Sequence, residues 1–123
     1  MPWTLDLPFE RPPLTENQRW SHWAPKAAMT KKVRAASSLL AKQQRIPALG
    51  TCTVRLVWVV NTRHRRDADN ITPTLKAACD GLVDAGLVPD DTPALMDKRM
   101  PEIEYRPEQP AGLQLLITEG IDR

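Results

Sequence analysis

The eleven residues from Thr51 to Asn61, TCTVRLVWVVN, constrain the fold of this chain more than any other stretch. They are dense in β-branched residues, alternate at first, and become continuously apolar from Val57 through Val60. Branched side chains suit a pleated surface, and an unbroken apolar run belongs to a strand covered on both faces. A strand at the centre of a sheet is therefore expected here, with the other elements arranged around it.

Those elements can be read from periodicity and from proline and glycine. Trp3 to Leu7 (WTLDL) alternates and stops at Pro8, which predicts a short strand, suited to a sheet edge. From Pro8 to Pro25 the chain is rich in proline and polar residues and has neither period, so it is a loop. Pro25 to Arg45 predicts an amphipathic helix with Met29, Val33, Ala36, Leu39 and Leu40 as its apolar stripe, ended by Pro47 and Gly50. A second helix runs from Ile71 or Pro73 to about Val83. Its buried stripe is Ile71, Leu75, Ala78, Cys79 and Leu82, and Asp69, Asn70 and Thr72 are alternative caps. Ala94 to Tyr105 alternates around an interruption at Pro101, and Gly112 to Glu119 (GLQLLITE) is a clear strand; a hairpin is expected between them. The order β-α-β-α-β-β describes an α+β fold with a mixed or antiparallel sheet and helices packed on it.

At 123 residues and 13.8 kDa, with 41% hydrophobic residues, the whole chain is expected to be a single domain, residues 1–123. It has no apolar run of eighteen residues and no signal-like N-terminus, so a soluble cytoplasmic protein without a membrane partner is expected. Cys52 and Cys79 have no metal-type spacing and fall in apolar segments, which suits buried thiols.

The net charge of +2 conceals a strong asymmetry. Between Asn17 and Arg66 there is no Asp or Glu, and those residues hold eleven of the seventeen Lys and Arg; from Asp67 onward twelve acids face five bases. An acid-free stretch of that length suits a polyanionic partner. Trp20, Trp23, Arg19 and His22 in the first loop are the residue types that stack on unpaired bases and hold phosphate. Where the basic half ends, Arg63, Arg65 and Arg66 are followed by Asp67, Asp69 and Asn70, then by Lys76 and the pair Asp90 and Asp91. Gathered carboxylates repel unless a cation compensates them, and hard divalent ions take such oxygen ligands. If the backbone stays extended past the central strand, Asp67 and Asp69 project to one side. Arginines beside such a site match phosphate oxygens, so the pattern points to metal-assisted phosphodiester hydrolysis. Lys76 and Asp80, one turn apart, are expected to pair. A cation among carboxylates has its pKa raised, which suits Lys76 to an electrostatic role better than to that of a general base.

The order DADN, then LKAACDGLVDAGLVPDD, preceded by arginines and followed by LQLLITE, resembles the RusA family of Holliday junction resolvases, and RPPLTENQRW is similar to that family's N-terminal loop. The resemblance implies a homodimeric, Mg²⁺-dependent endodeoxyribonuclease, with Mn²⁺ able to substitute and no small organic cofactor. Such an enzyme binds four-way DNA junctions and nicks opposite strands symmetrically, in recombination and repair. It assigns Asp67, Asp69 and Asp91 to the metal, and these three with Lys76 to catalysis. Arg63, Arg65, Arg66, Asn70, Asn17, Arg19, Lys31 and Lys32 are the expected nucleic-acid contacts. Five residues, ITPTL, separate DADN from Lys76 where the family has about two, so an extended helix start is expected. A noncatalytic nucleic-acid-binding domain and a metal-dependent nucleotide hydrolase are the alternatives. The first leaves the aspartates without a use, and the second lacks a glycine-rich phosphate loop.

Overall fold

The computed structural model of the chain describes residues 2–16 and 23–121. The central strand, β2 (Cys52–Val60), is hydrogen-bonded along both edges. On one side it pairs antiparallel with β5 (Gly112–Glu119), which in turn pairs antiparallel with β1 (Trp3–Leu7) at the sheet edge. On the other side it pairs parallel with β3 (Met96–Lys98) and then β4 (Glu102–Tyr105). The sheet is mixed, with two helices, α1 (Trp23–Gln43) and α2 (Thr72–Asp84), as the expected α+β class requires.

The segment from Ala94 to Tyr105 is two strands, because Pro101 cannot donate to a ladder. Lys98 pairs with Val54 and Glu102 with Val57, so four steps on one strand match three on the other, as in a bulge. The expected hairpin with Gly112–Glu119 does not form. β4 and β5 lie on opposite edges of β2, and residues 106–111 carry the chain from one edge to the other. A proline-rich connection between alternating segments looks like a hairpin turn locally; the two free edges of β2 decide the pairing instead.

Alternate residues of the strands, Leu5 and Leu7, Cys52, Val54 and Leu56, Leu113, Leu115 and Ile117, share one core with Val33 and Ala41 of α1 and Leu75, Ala78, Cys79 and Leu82 of α2. The opposite face is polar: Arg55 pairs with Glu102 at 3.4 Å and the Gln114 side chain donates to Asp6 at 3.3 Å. Val57 and Val59 are nonetheless buried on that side, which accounts for the unbroken apolar run of β2. The stripe of α2 is buried as its spacing predicts, and both cysteines are free and buried.

The stripe of α1 differs from the expected one. Val33, Ser37, Ser38 and Ala41 are buried, whereas Leu39 is 57% exposed and Met29, Ala36 and Leu40 are half-buried. Close approach of the helices selects small residues over large apolar ones. A Cβ at Gly81 of α2 would lie 2.3 Å from the Arg34 carbonyl oxygen and 2.8 Å from Ser37 Cβ, and the buried Ser37 hydroxyl donates to the Ala78 carbonyl at 2.7 Å. The end of α1 differs too: Arg45 adopts a left-handed φ of 55°, its N–H bonding to Lys42 and that of Ile46 to Ala41. Those two bonds form a Schellman cap before Pro47 and Gly50 are reached. Gly81→Ala is expected to lower stability by about 3 kcal/mol, because the obstructing atom is backbone and cannot rotate away; the urea midpoint of the variant measures it.

Candidate nucleic-acid interface and carboxylate site

Beyond Val60 the chain has to reverse to become α2. The extended backbone ends at Asp67 (φ −109°, ψ 120°), and Ala68–Ile71 form a 3₁₀ turn running directly into α2. Asp67 and Asp69 therefore do not alternate along a strand. The turn and the first turn of α2, with Pro73 near its start, absorb the extra residues before Lys76 as the expected extended helix start. No side chain caps either helix; Thr72 instead donates its hydroxyl to the Asp69 carbonyl at 2.8 Å.

The N-terminal loop is fastened onto this reversal. The buried Thr74 hydroxyl accepts from the Leu14 N–H at 3.1 Å and donates to the Leu14 carbonyl at 2.7 Å, and the Glu16 N–H donates to the Asn70 carbonyl at 2.9 Å. Between loop and turn lies a cleft of about 360 Å³, lined by Arg11, Arg65, Arg66, Asp67 and Asn70, with Trp58 in its wall. The indole N–H of Trp58 is buried without an acceptor among the described residues, at a cost of about 1–3 kcal/mol. A larger hollow of about 810 Å³ is lined by Leu7, Phe9 and residues 109–114, but its charged residues are Asp6 and Glu10, which suit no polyanion.

The expected arginine cluster has divided roles. Arg63 stacks over the Tyr105 ring at 4.4 Å. Arg66 lies over Trp58 at 5.1 Å and donates to the Thr62 carbonyl and hydroxyl and the His64 carbonyl, at 2.8 to 3.1 Å. Arg65 faces the cleft. Lys31 and Lys32 are exposed on α1, Lys31 beside Trp23, Lys26 and Arg34. Asn17, Arg19, Trp20 and His22 lie outside the described residues.

Lys76 and Asp91 come together. Asp91 Oδ2 accepts from Lys76 Nζ at 3.0 Å and Lys98 Nζ at 2.7 Å, while Lys76 also reaches Asp80 Oδ1 at 2.9 Å, the expected one-turn pair. Lys98 first, then Lys76, holds the Asp91 carboxyl well below the usual carboxylate range. Asp80 and then Asp91 raise the pKa of Lys76, which keeps it a cation at neutral pH. Asp90 accepts the Asp91 N–H at 2.8 Å and so shapes the turn.

Among the described residues, no group of three or more His, Cys, Asp or Glu side chains is placed to hold a metal ion. Asp67, Asp69 and Asp91 do not form the expected three-carboxylate cluster here, and two ammonium groups already compensate Asp91. Two residues of the site escape sequence reasoning. Lys98 lies in a strand whose alternation signals only pairing, and Arg11 stands alone in a proline-rich loop. No helix in the described residues is long and apolar enough to cross a membrane. No protein-family model matches the chain, and no curated protein does.

Asp91 is 19% exposed on its side chain. Its pKa is depressed in the folded state, so its contribution to stability is present above its ordinary value of 3.8 and is lost as pH falls below it. Lys98→Met removes the leading cause of that depression. The difference in urea midpoint between pH 6 and pH 3 is expected to be smaller in this variant than in the unmodified protein.

Proposed function

We propose that this protein is a structure-selective endodeoxyribonuclease of the RusA type, acting on four-way DNA junctions as a homodimer. The observation that carries the reading is an aspartate, Asp67, set in a cleft otherwise charged by arginines, where the central strand turns back into α2. Guanidinium groups match phosphate oxygens, and a carboxylate among them is the group a phosphodiester hydrolase needs and a plain binding domain does not.

The chain's own groups divide the work. Arg63, Arg65 and Arg66, with Lys31 and Lys32 on the exposed side of α1, hold phosphates without reading sequence. Lys76, kept charged by Asp80 and Asp91, offsets negative charge developing at the reacting phosphate and does not take a proton. Asp91 fixes the position of Lys76 together with Lys98. The need for Mg²⁺ enters through the DADN and DD motifs rather than through the geometry, and no step here runs through the ion. A homodimer supplies two sites related by a twofold axis, the symmetry that paired nicks on opposite strands require.

A labelled synthetic four-way junction, a linear duplex and a nucleoside triphosphate, each with Mg²⁺ and with a chelator, separate this reading from its alternatives. Symmetric nicking of the junction alone, and only with Mg²⁺, is expected. Hydrolysis of the triphosphate would favour the nucleotide hydrolase, and binding without cleavage the noncatalytic domain. Asp67→Asn is expected to keep junction binding and lose on the order of 10²-fold or more in nicking.

A further inference from the structure

Arg11 lies far in sequence from the arginine run, yet shares the cleft with Arg65, Arg66 and Asp67. Of the four arginines described at this reversal, Arg63 is stacked on Tyr105 and Arg66 is bonded to backbone. Arg11 and Arg65 have no ion pair or side-chain hydrogen bond among the described residues, and no arginine of the cleft pairs with Asp67. Arg11 also helps to line a second cleft of about 360 Å³, with Glu10, Asn61 and Thr62, so Arg11, Trp58 and Arg66 form a shared divide between two hollows.

Three guanidiniums and one carboxylate line the cleft, which leaves it net positive and favours an entering anion. Their placement is set beforehand. The hydrogen bonds from Leu14 to Thr74 and from Glu16 to Asn70 fasten the loop three and five residues beyond Arg11, so bringing it beside Arg65 costs little ordering when a ligand arrives. We propose that the edge of the cleft at this divide is a phosphodiester subsite, in which Arg11 on the divide and Arg65 within the cleft grip one backbone phosphate of a DNA strand passing from one hollow to the other beside Asp67. The proposal rests on the nuclease reading for its role, and its test does not depend on cleavage.

The test is binding of a fluorescent four-way junction, with a chelator present, followed by anisotropy across a series of salt concentrations. The unmodified protein, Arg11→Gln, Arg11→Lys and Arg55→Gln are compared; Arg55 stands on the opposite, polar face of the sheet. Each phosphate contact contributes about 0.9 to the slope of log affinity against log salt for duplex DNA. Arg11→Gln is expected to lower that slope by about one contact, Arg11→Lys to restore it, and Arg55→Gln to leave it unchanged. Equal losses in Arg11→Gln and Arg55→Gln would show a net-charge effect and overturn the proposal, as would an unchanged slope in Arg11→Gln. A melting temperature equal to that of the unmodified protein shows that the loop remains docked; if Arg11→Gln melts lower, the decision falls to Arg11→Lys, which must keep the slope. Inorganic phosphate or a nucleoside triphosphate that binds in an Arg11-dependent way, with the DNA slope unaffected, would assign the cleft to a free anion and overturn the DNA assignment. DNA binding without nicking would sink the nuclease reading alone, whereas no DNA binding would sink this proposal too.

Discussion

Hydrogen bonding of β2 along both edges is the constraint from which the architecture follows. An antiparallel neighbour on one side needs no crossover, but parallel neighbours on the other do, and α2 is that crossover. The chain leaving Val60 must therefore turn back over the sheet before it can return as β3. The arginines and Asp67 sit at that reversal, at the carboxyl end of the central strand, where open sheets containing parallel strands commonly present ligand-binding groups. Site location is a consequence of strand order before it is a matter of residue identity.

A second constraint fixes what surrounds the reversal. α1 and α2 approach so closely at Gly81 that only small residues fit between them, and Ser37 answers the Ala78 carbonyl within the contact. Thr74, on the same helix as Gly81, has both hydrogen-bonding capacities of its hydroxyl met by Leu14. One helix thus positions the other helix and the N-terminal loop together. Arg11 comes beside Arg65 through main-chain bonds to a rigid element, with no direct attraction between the two like charges.

Charge compensation is arranged in two separate places. Asp91, largely withdrawn from water, has its negative charge answered by Lys76 and Lys98. Removing one of those partners leaves the carboxylate with a single ammonium group to answer its charge. At the cleft the balance is reversed: among the described residues Arg11 and Arg65 outnumber Asp67, the one acid lining it, and are not paired with it. A compensated carboxylate and a net cationic hollow are the electrostatic features a phosphate ligand would meet.

Local chemistry alone determined a good part of this. The β-branched run of residues 51–61, the stripe of α2, the buried cysteines and the pairing of Lys76 with Asp80 all depend on neighbours within a few residues, and each was legible. The basic run ending at Asp67 was legible too, because charge is a property of the chain. Tertiary structure decided the rest. Periodicity marks an apolar side without naming what will cover it, so the stripe of α1 was misplaced until Gly81 required serines at the contact. Alternation marks a strand without choosing its edge, so the expected hairpin gave way to two strands flanking β2. Arg11 joined the site through bonds between parts of the chain far apart in sequence, and Lys98 through the turn that sets β3 against β2 and brings it to Asp91; no pattern along the sequence encodes either placement.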